Sequence, residues 1–315
     1  MDILLDIMLP VFGVVVFGAT ARALGWVSDR MIDAVAAFVF NFAVPALLLR
    51  TVGTTDLPAT PPWGLFGSFY IGAVLMYGAG MLVGRLAFGR PPLGRTLTGM
   101  GFAFGNTIMV GLPITLAAYG EEGALPFFLI LSVHGLAYFT ITTLILEIQR
   151  GAEDRAGLRA LPRQVGRALV TNSILIGIGL GLAANLSGLG VPDPIDRIAA
   201  VMQGAVAPCA LFVLGASLVR HGVKGRVAQA AVVTAAKTLV FPAITYGLAA
   251  YVFRLDPLSV QIATITAGLP VGLMVFVFSS KYQTGQAISA TSVSMSTVFS
   301  LFTLWGMLVL FQGMG

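Results

Sequence analysis

The apolar residues of this chain come in long unbroken runs separated by short polar clusters, without the strict alternation of a half-buried strand. A run of 18 or more residues with almost no charge reads as a membrane-spanning helix, because a hydrocarbon core of roughly 30 Å takes about 20 helical residues to cross. Ten such runs follow one another, at 5–25, 30–50, 63–87, 95–119, 124–147, 167–187, 195–219, 227–253, 257–281 and 286–311. They are too long, and alternate too little, for the strands of a membrane barrel. The pattern predicts an all-α integral membrane protein with ten transmembrane helices.

Two of the predicted helices are interrupted in their middles. The fourth carries Gly105-Asn106-Thr107 running to Gly111-Leu112-Pro113, and the ninth carries Gly268-Leu269-Pro270-Val271-Gly272. In hydrocarbon every backbone N–H and C=O must be paired internally, so a helix breaks at mid-depth only where the freed groups face protein or a water-filled cavity. Interrupted helices in corresponding positions of two halves point to the substrate site of a carrier.

Composition agrees with the pattern. Of 315 residues, 57% are hydrophobic and 10% charged, against about 25% charged in soluble domains, and mean hydropathy is +0.93. The start, Met1-Asp2-Ile3-Leu4-Leu5-Asp6, is acidic where a signal peptide is basic, so the first run is expected to remain as a helix. Cys209 is the single cysteine, which leaves neither a disulfide framework nor a cysteine-based metal site, and it reads as a packing residue. No phosphate-binding glycine loop, His-Glu-x-x-His pattern or Gly-x-Ser-x-Gly elbow occurs. Neither a cofactor nor an enzymatic activity is expected.

The net charge of +5 describes topology, not nucleic-acid binding. Loops after odd-numbered segments, with the adjoining segment ends, hold fourteen basic residues, against three (Arg50, Arg197 and Arg254) on the other side. The positive-inside rule places the basic loops in the cytoplasm and both termini outside, in an inner (plasma) membrane. The longest polar stretch, within 149–166, contains Arg150, Arg155, Arg159 and Arg163 with Glu153 and Asp154. It divides the chain into halves of five helices each, 1–148 and 167–315. An odd number of helices per half makes any internal repeat inverted. A shift of 163 residues lays Gly25 on Gly188, Pro45 on Pro208, Gly105 on Gly268 and Tyr119 on Tyr282, a faint echo of such a repeat.

All thirteen acidic residues fall in loops or near segment ends, leaving Lys237 and His134 as the ionisable groups at mid-depth. Such groups are costly in a bilayer and mark ion or substrate pathways. Two roles suit Lys237: a cation that attracts an anionic substrate or replaces a coupling ion, or an ammonium held by carbonyls freed by Pro242 and tying two helices together. His134 suits a proton relay or a neutral, hydrogen-bonded place in a helix interface. Asn41 and Pro45, Asn106, and Gln203 and Pro208 also lie near mid-depth, and their coincidence with the two breaks suggests a common polar cavity. At each break the restarting helix offers unpaired N–H groups and the positive end of its dipole, which can hold a carboxylate. Asn106 and Thr107 add side-chain donors beside them. The seven hydroxyls between Ser289 and Ser300 read first as small residues that let helices approach closely, with one or two of them open to reaching the cavity.

In these residues the chain resembles the auxin efflux carrier family, which contains the plant PIN-formed carriers and many bacterial permeases and belongs with the bile acid carriers in one superfamily. The matching pieces are Asn41-Phe42-Ala43-Val44-Pro45-Ala46-Leu47, Gly105-Asn106-Thr107 through Gly111-Leu112-Pro113-Ile114, Lys237 to Pro242, and Leu269-Pro270-Val271-Gly272 through Phe276-Val277-Phe278 and Tyr282. The resemblance implies two inverted five-helix repeats, with a scaffold at 1–50 and 167–220 and a transport domain at 63–147 and 226–311 that slides as an elevator. It implies that segments four and nine cross at their breaks around an organic anion. The substrate-binding residues expected are Gly105, Asn106, Thr107, Gly268, Pro270 and Val271, with Asn41 and His134 nearby and Lys237 as a coupling or structural cation. Plant members have proline where this chain has Gly105, and glutamine where it has Val271. A small carboxylate is the expected partner besides the bilayer, and a homodimer is open. A sodium-coupled symporter of the bile acid type and a ligand sensor that moves nothing are the alternatives.

Overall fold

The computed structural model describes residues 9–54, 62–150, 162–163, 166–167, 170–171, 173–221 and 226–313. The predicted linker at 149–166 lies mostly outside them. Among the described residues the regular structure is helical, with one isolated antiparallel bridge and no strand. Six helical stretches are long and apolar enough to cross a membrane: Asp29–Thr54, Trp63–Leu86, Thr107–Gln149, Asp193–Val219, Val227–Val252 and Gln286–Phe311. Two shorter apolar helices, Leu9–Ala23 and Ser173–Leu186, accompany them.

In chain order the helices are α1 (Leu9–Ala23), α2 (Asp29–Phe38), α3 (Val44–Thr54), α4 (Trp63–Leu86), α5 (Pro92–Ala103), α6 (Leu112–Arg150), α7 (Ser173–Leu186), α8 (Asp193–His221), α9 (Val227–Ala235), α10 (Phe241–Gly247), α11 (Pro257–Gly268), α12 (Met274–Lys281) and α13 (Gln286–Gln312). The predicted segments 95–119 and 124–147 are joined through α6, with Gly120 leaving helical geometry between them at φ 59°. Start signals sit where the sequence supplies them. Ser28 accepts from the Met31 amide ahead of α2, and Asp256 from the Ser259 amide ahead of α11. Pro92 and Pro257 occupy first-turn positions that need no N–H.

Of the four π turns among the described residues, three share one feature, and the fourth, Leu248–Val252, lacks it. The three span Val39–Ala43, Thr107–Gly111 and Ala236–Val240, and each ends two residues before a proline: Pro45, Pro113 and Pro242. A proline within a helix donates nothing to the carbonyl four residues back and crowds it. Here those carbonyls belong to Asn41, Met109 and Thr238, the central residues of the three turns. The inserted residue widens the turn and relieves the clash without ending the helix.

The chain forms two compact units, each assembled from separated stretches. The first comprises 1–62, 108–132 and 166–220, and the second 63–107, 133–165 and 221–315. Inside the first unit, Gly177 lets α7 lie against the backbone of Pro45 in α3, since an added Cβ would stand 2.7 Å from the Pro45 carbonyl oxygen. The Ser173 hydroxyl donates to the Phe40 carbonyl at 2.8 Å, and the Asn185 amide to the Val52 carbonyl at 2.9 Å. Arg50 gathers the polar residues of this unit. Its guanidinium bonds Asp196 and Glu121, each at 2.9 Å, and the Gln203 side chain at 3.1 Å. In the second unit, α4 and α5 pack closely at Gly80 and Gly99, where an added Cβ would press on the facing backbone.

Candidate functional site

The stretches 104–107 and 269–273, where the two helices are interrupted, belong to the second unit, and they meet. α5 ends at Ala103, and the chain runs through Phe104, Gly105 and Asn106 before the π turn begins at Thr107. α11 ends at Gly268, and Leu269 to Leu273 lead into α12. The Asn106 amide donates to the Pro270 carbonyl at 2.8 Å, and the Gly272 amide to the Phe104 carbonyl at 3.0 Å. Gly105 and Val271 face each other between these two rungs as an antiparallel pair. In such a pair the central residues turn their own N–H and C=O groups outward, away from one another. The Val271 amide, thus directed, donates to the Ser296 hydroxyl of α13 at 2.9 Å.

Of the two glycines where the breaks touch, Gly272 is the one that leaves no room for a side chain. A Cβ on Gly272 would overlap the Phe104 ring and come within 3.0 Å of the Gly105 carbonyl oxygen. On Gly105 it would stand 3.4 Å from the Lys237 ammonium nitrogen and 3.5 Å from Leu269 Cβ, an ordinary contact. On Gly268 it would press on the Met307 side chain of α13 at 3.0 Å.

Lys237, in the Ala236–Val240 turn, is completely buried. Its ammonium donates to the carbonyls of Ala267 and Leu269, the latter at 2.7 Å, and lies 5.0 Å from the centre of the Phe241 ring. The acceptors are therefore carbonyls freed by the break at Pro270, not by Pro242. A cation at the end of α11 meets the negative end of that helix. Two helix ends and one helix beginning converge here, and Lys237 covers one of the negative ends. The segment starting at Met274 directs its positive end to the same place. Asn106 is half-buried at this position, and Thr107 is buried.

His134 is buried among rings. It stacks on Phe104 at 4.9 Å and lies 4.8 Å from Tyr138 and 5.7 Å from Phe69. Neither ring nitrogen has a formed hydrogen bond, and the polar group they approach is the backbone of Gly105. Tyr138 supports the break from the same helix, donating its hydroxyl to the Ala103 carbonyl at 3.1 Å. Ser132, the one hydroxyl beside His134 in sequence, bonds the Leu129 carbonyl at 2.7 Å instead.

The structure thus brings together Gly105, Asn106, Thr107, Gly268, Pro270, Val271, His134 and Lys237. Asn41 belongs to the first unit, where it is exposed in the Val39–Ala43 turn, and Gln203 of that unit is engaged by Arg50. Sequence reasoning missed Tyr138 and did not single out Ser296 among the seven hydroxyls of its run. For Ser296 the signal was present: Ser289, Ser292, Ser296 and Ser300 recur every three or four residues, on one face of α13.

Comparison with known proteins places this geometry in context. Residues 3–308 match the family model described as "Membrane transport protein". The chain is 26% identical to a protein of Rhizobium meliloti (strain 1021) named "Putative malonate transporter", over 97% of this chain and 95% of the relative. It is 25% identical to an "Uncharacterized transporter" of Methanothermobacter thermautotrophicus, over 95% of each chain. It is 24% identical to "Auxin efflux carrier component 8" of Arabidopsis thaliana, over 90% of each. These relatives are transporters, not enzymes.

Proposed function

The chain belongs to the membrane transport protein family, and from that premise we propose that it is a secondary carrier of small organic carboxylates in the inner membrane. The observation that carries the reading is the Gly105–Val271 pairing, which holds one helix start and the free Asn106 side chain at one point. Backbone amides at the start of a helix favour an anion without a full protein charge. Asn106 supplies a neutral donor, and the buried Lys237 makes the local field positive while its bonds to Ala267 and Leu269 hold it in place. A carboxylate bound by the Asn106 side-chain amide, the Thr107 hydroxyl and the Leu273 and Met274 backbone amides at the start of α12 uses these features without competing for the amides already engaged by Phe104, Pro270 and Ser296. Lys237 also occupies the carbonyls at the end of α11 that a coupling cation would otherwise neutralise, which favours carriage without sodium at that end.

The larger frame of the proposal is ten transmembrane helices in two inverted halves, with both termini outside. The transport stretches 63–147 and 226–311 move against a scaffold of 1–50 and 167–220 by elevator-type alternating access. The name of the Rhizobium relative makes malonate the first substrate to test.

Purified protein in liposomes should exchange labelled malonate or another short carboxylate in counterflow. Asn106→Ala should bind and exchange it at least about tenfold less well, since a hydrogen bond to a charged group contributes about 1.5–3 kcal/mol. Wild-type exchange by a correctly folded Asn106→Ala protein rejects the site.

A further inference from the structure

The second unit contains another concentration of positive charge, at the start of α13 and apart from the helix start at Met274. A small open cleft runs between α5, α9, α12 and the beginning of α13, with Arg90, Thr98, Ser289 and Ser292 among the otherwise apolar residues of its lining. α13 begins after Gly285, which is in the left-handed conformation at φ +71°, and no side chain caps its first amides. The Arg90 guanidinium lies against that end, since a Cβ on Gly285 would stand 3.0 Å from Arg90 Nη2. Arg90 is fixed there by its backbone: its amide bonds the Gly84 carbonyl at 2.8 Å, and its carbonyl accepts from Arg95 Nε at 2.7 Å.

This arrangement is electrostatically costly. A cation at the positive end of a 27-residue helix is repelled by it. Burial, and after it the neighbouring Arg226, lower the Arg90 pKa below its ordinary value. Arg90 Nε is buried without a hydrogen-bond partner. Inside the cleft the Ser292 hydroxyl also lacks one, in a side chain only 1% exposed. Ser289, one turn earlier, is satisfied by Ser279. Two unspent donors, a run of free amides and the Arg90 guanidinium around one opening all change from cost to gain when an anion enters.

We propose that this cleft binds one small tetrahedral oxoanion of the phosphate type, held between the Arg90 guanidinium and the first amides of α13, with the Ser292 hydroxyl donating to it. The group can arrive as free phosphate or as the phosphodiester of an anionic lipid. The site is separate from the carboxylate site proposed above and does not depend on it.

The test is calorimetric titration of the purified protein in neutral detergent, at constant ionic strength, with inorganic phosphate and with a short-chain phosphatidylglycerol. Wild type should bind one of them saturably, and Arg90→Gln should weaken that binding at least about tenfold. Ser292→Ala should weaken it severalfold, while Asn106→Ala should leave it unchanged. Binding of phosphatidylglycerol in competition with phosphate identifies a lipid headgroup, and binding of phosphate alone identifies a free ion. Absence of saturable binding by either, or binding undiminished in Arg90→Gln, overturns the proposal. If Arg90→Gln does not elute as folded protein, Ser292→Ala decides: unchanged affinity overturns the site.

Discussion

The ammonium of Lys237 is hydrogen-bonded to the carbonyl of Leu269, the last acceptor before Pro270, across a sequence separation of 32 residues. With the Ala267 bond it gives two carbonyls at a broken helix end a donor that the chain itself cannot supply.

Removing that donor should therefore loosen the second break. Lys237→Met is expected to cost about 1–3 kcal/mol, the price of buried acceptors left unpaired, reduced by the relief of no longer burying an ammonium. Thermal unfolding in detergent should show a melting temperature lower by several degrees. An unchanged value would mean that other donors reach those carbonyls.

Gly272 and Gly105 face the same bridge but should respond unequally to alanine. At Gly272 the new methyl group meets the Phe104 ring and the Gly105 carbonyl, so Gly272→Ala should destabilise by about 1–3 kcal/mol, as overpacked sites do. At Gly105 the neighbours stand at contact distance, so Gly105→Ala should stay within about 0.5 kcal/mol of wild type. Parallel melting curves of the two variants check the order, and equal losses would contradict the close approach of Gly272 to Phe104.

Arg50 ties α3 to two acidic residues of the first unit, yet the pairs are open to solvent, with the Glu121 side chain 69% exposed and that of Asp196 30%. Arg50→Met should cost only about 0.5–1 kcal/mol after screening. Glu121→Gln should cost less. Melting temperatures at low and high salt separate the effect, because exposed pairs weaken as salt rises. A loss that ignores salt would point to packing of the arginine stem instead.

Helices, breaks and the transporter class were legible because each follows from local physics. Hydrophobic length sets the spans, and Gly105, Pro113, Gly268 and Pro270 mark where helix geometry fails. Pro45, Pro113 and Pro242 each follow a π turn, but Pro126 and Pro208 lie inside helices without one, so the prolines alone did not mark these turns. Pairings between distant elements were not legible. Nothing within 236–242 says that Lys237 reaches Ala267, and Pro242 offered a nearer but wrong source of free carbonyls. Ser296 looked like one of seven packing hydroxyls until the Val271 amide was found to need an acceptor. His134 was expected to be hydrogen-bonded, and its neighbours are rings: Tyr138 one turn along the same helix, and Phe69 and Phe104 from elements that sequence order keeps apart.

The two rungs joining Phe104 to Gly272 and Asn106 to Pro270 also impose an order of events on biosynthesis. Chains are made from the amino terminus, and early elements form before late ones exist. When the first break enters the membrane, the Phe104 carbonyl and the Asn106 amide have no protein partner, because residues 270–272 have yet to be translated. The early half of the chain must wait, with its break solvated or sheltered by the insertion machinery, until the late half arrives to complete it.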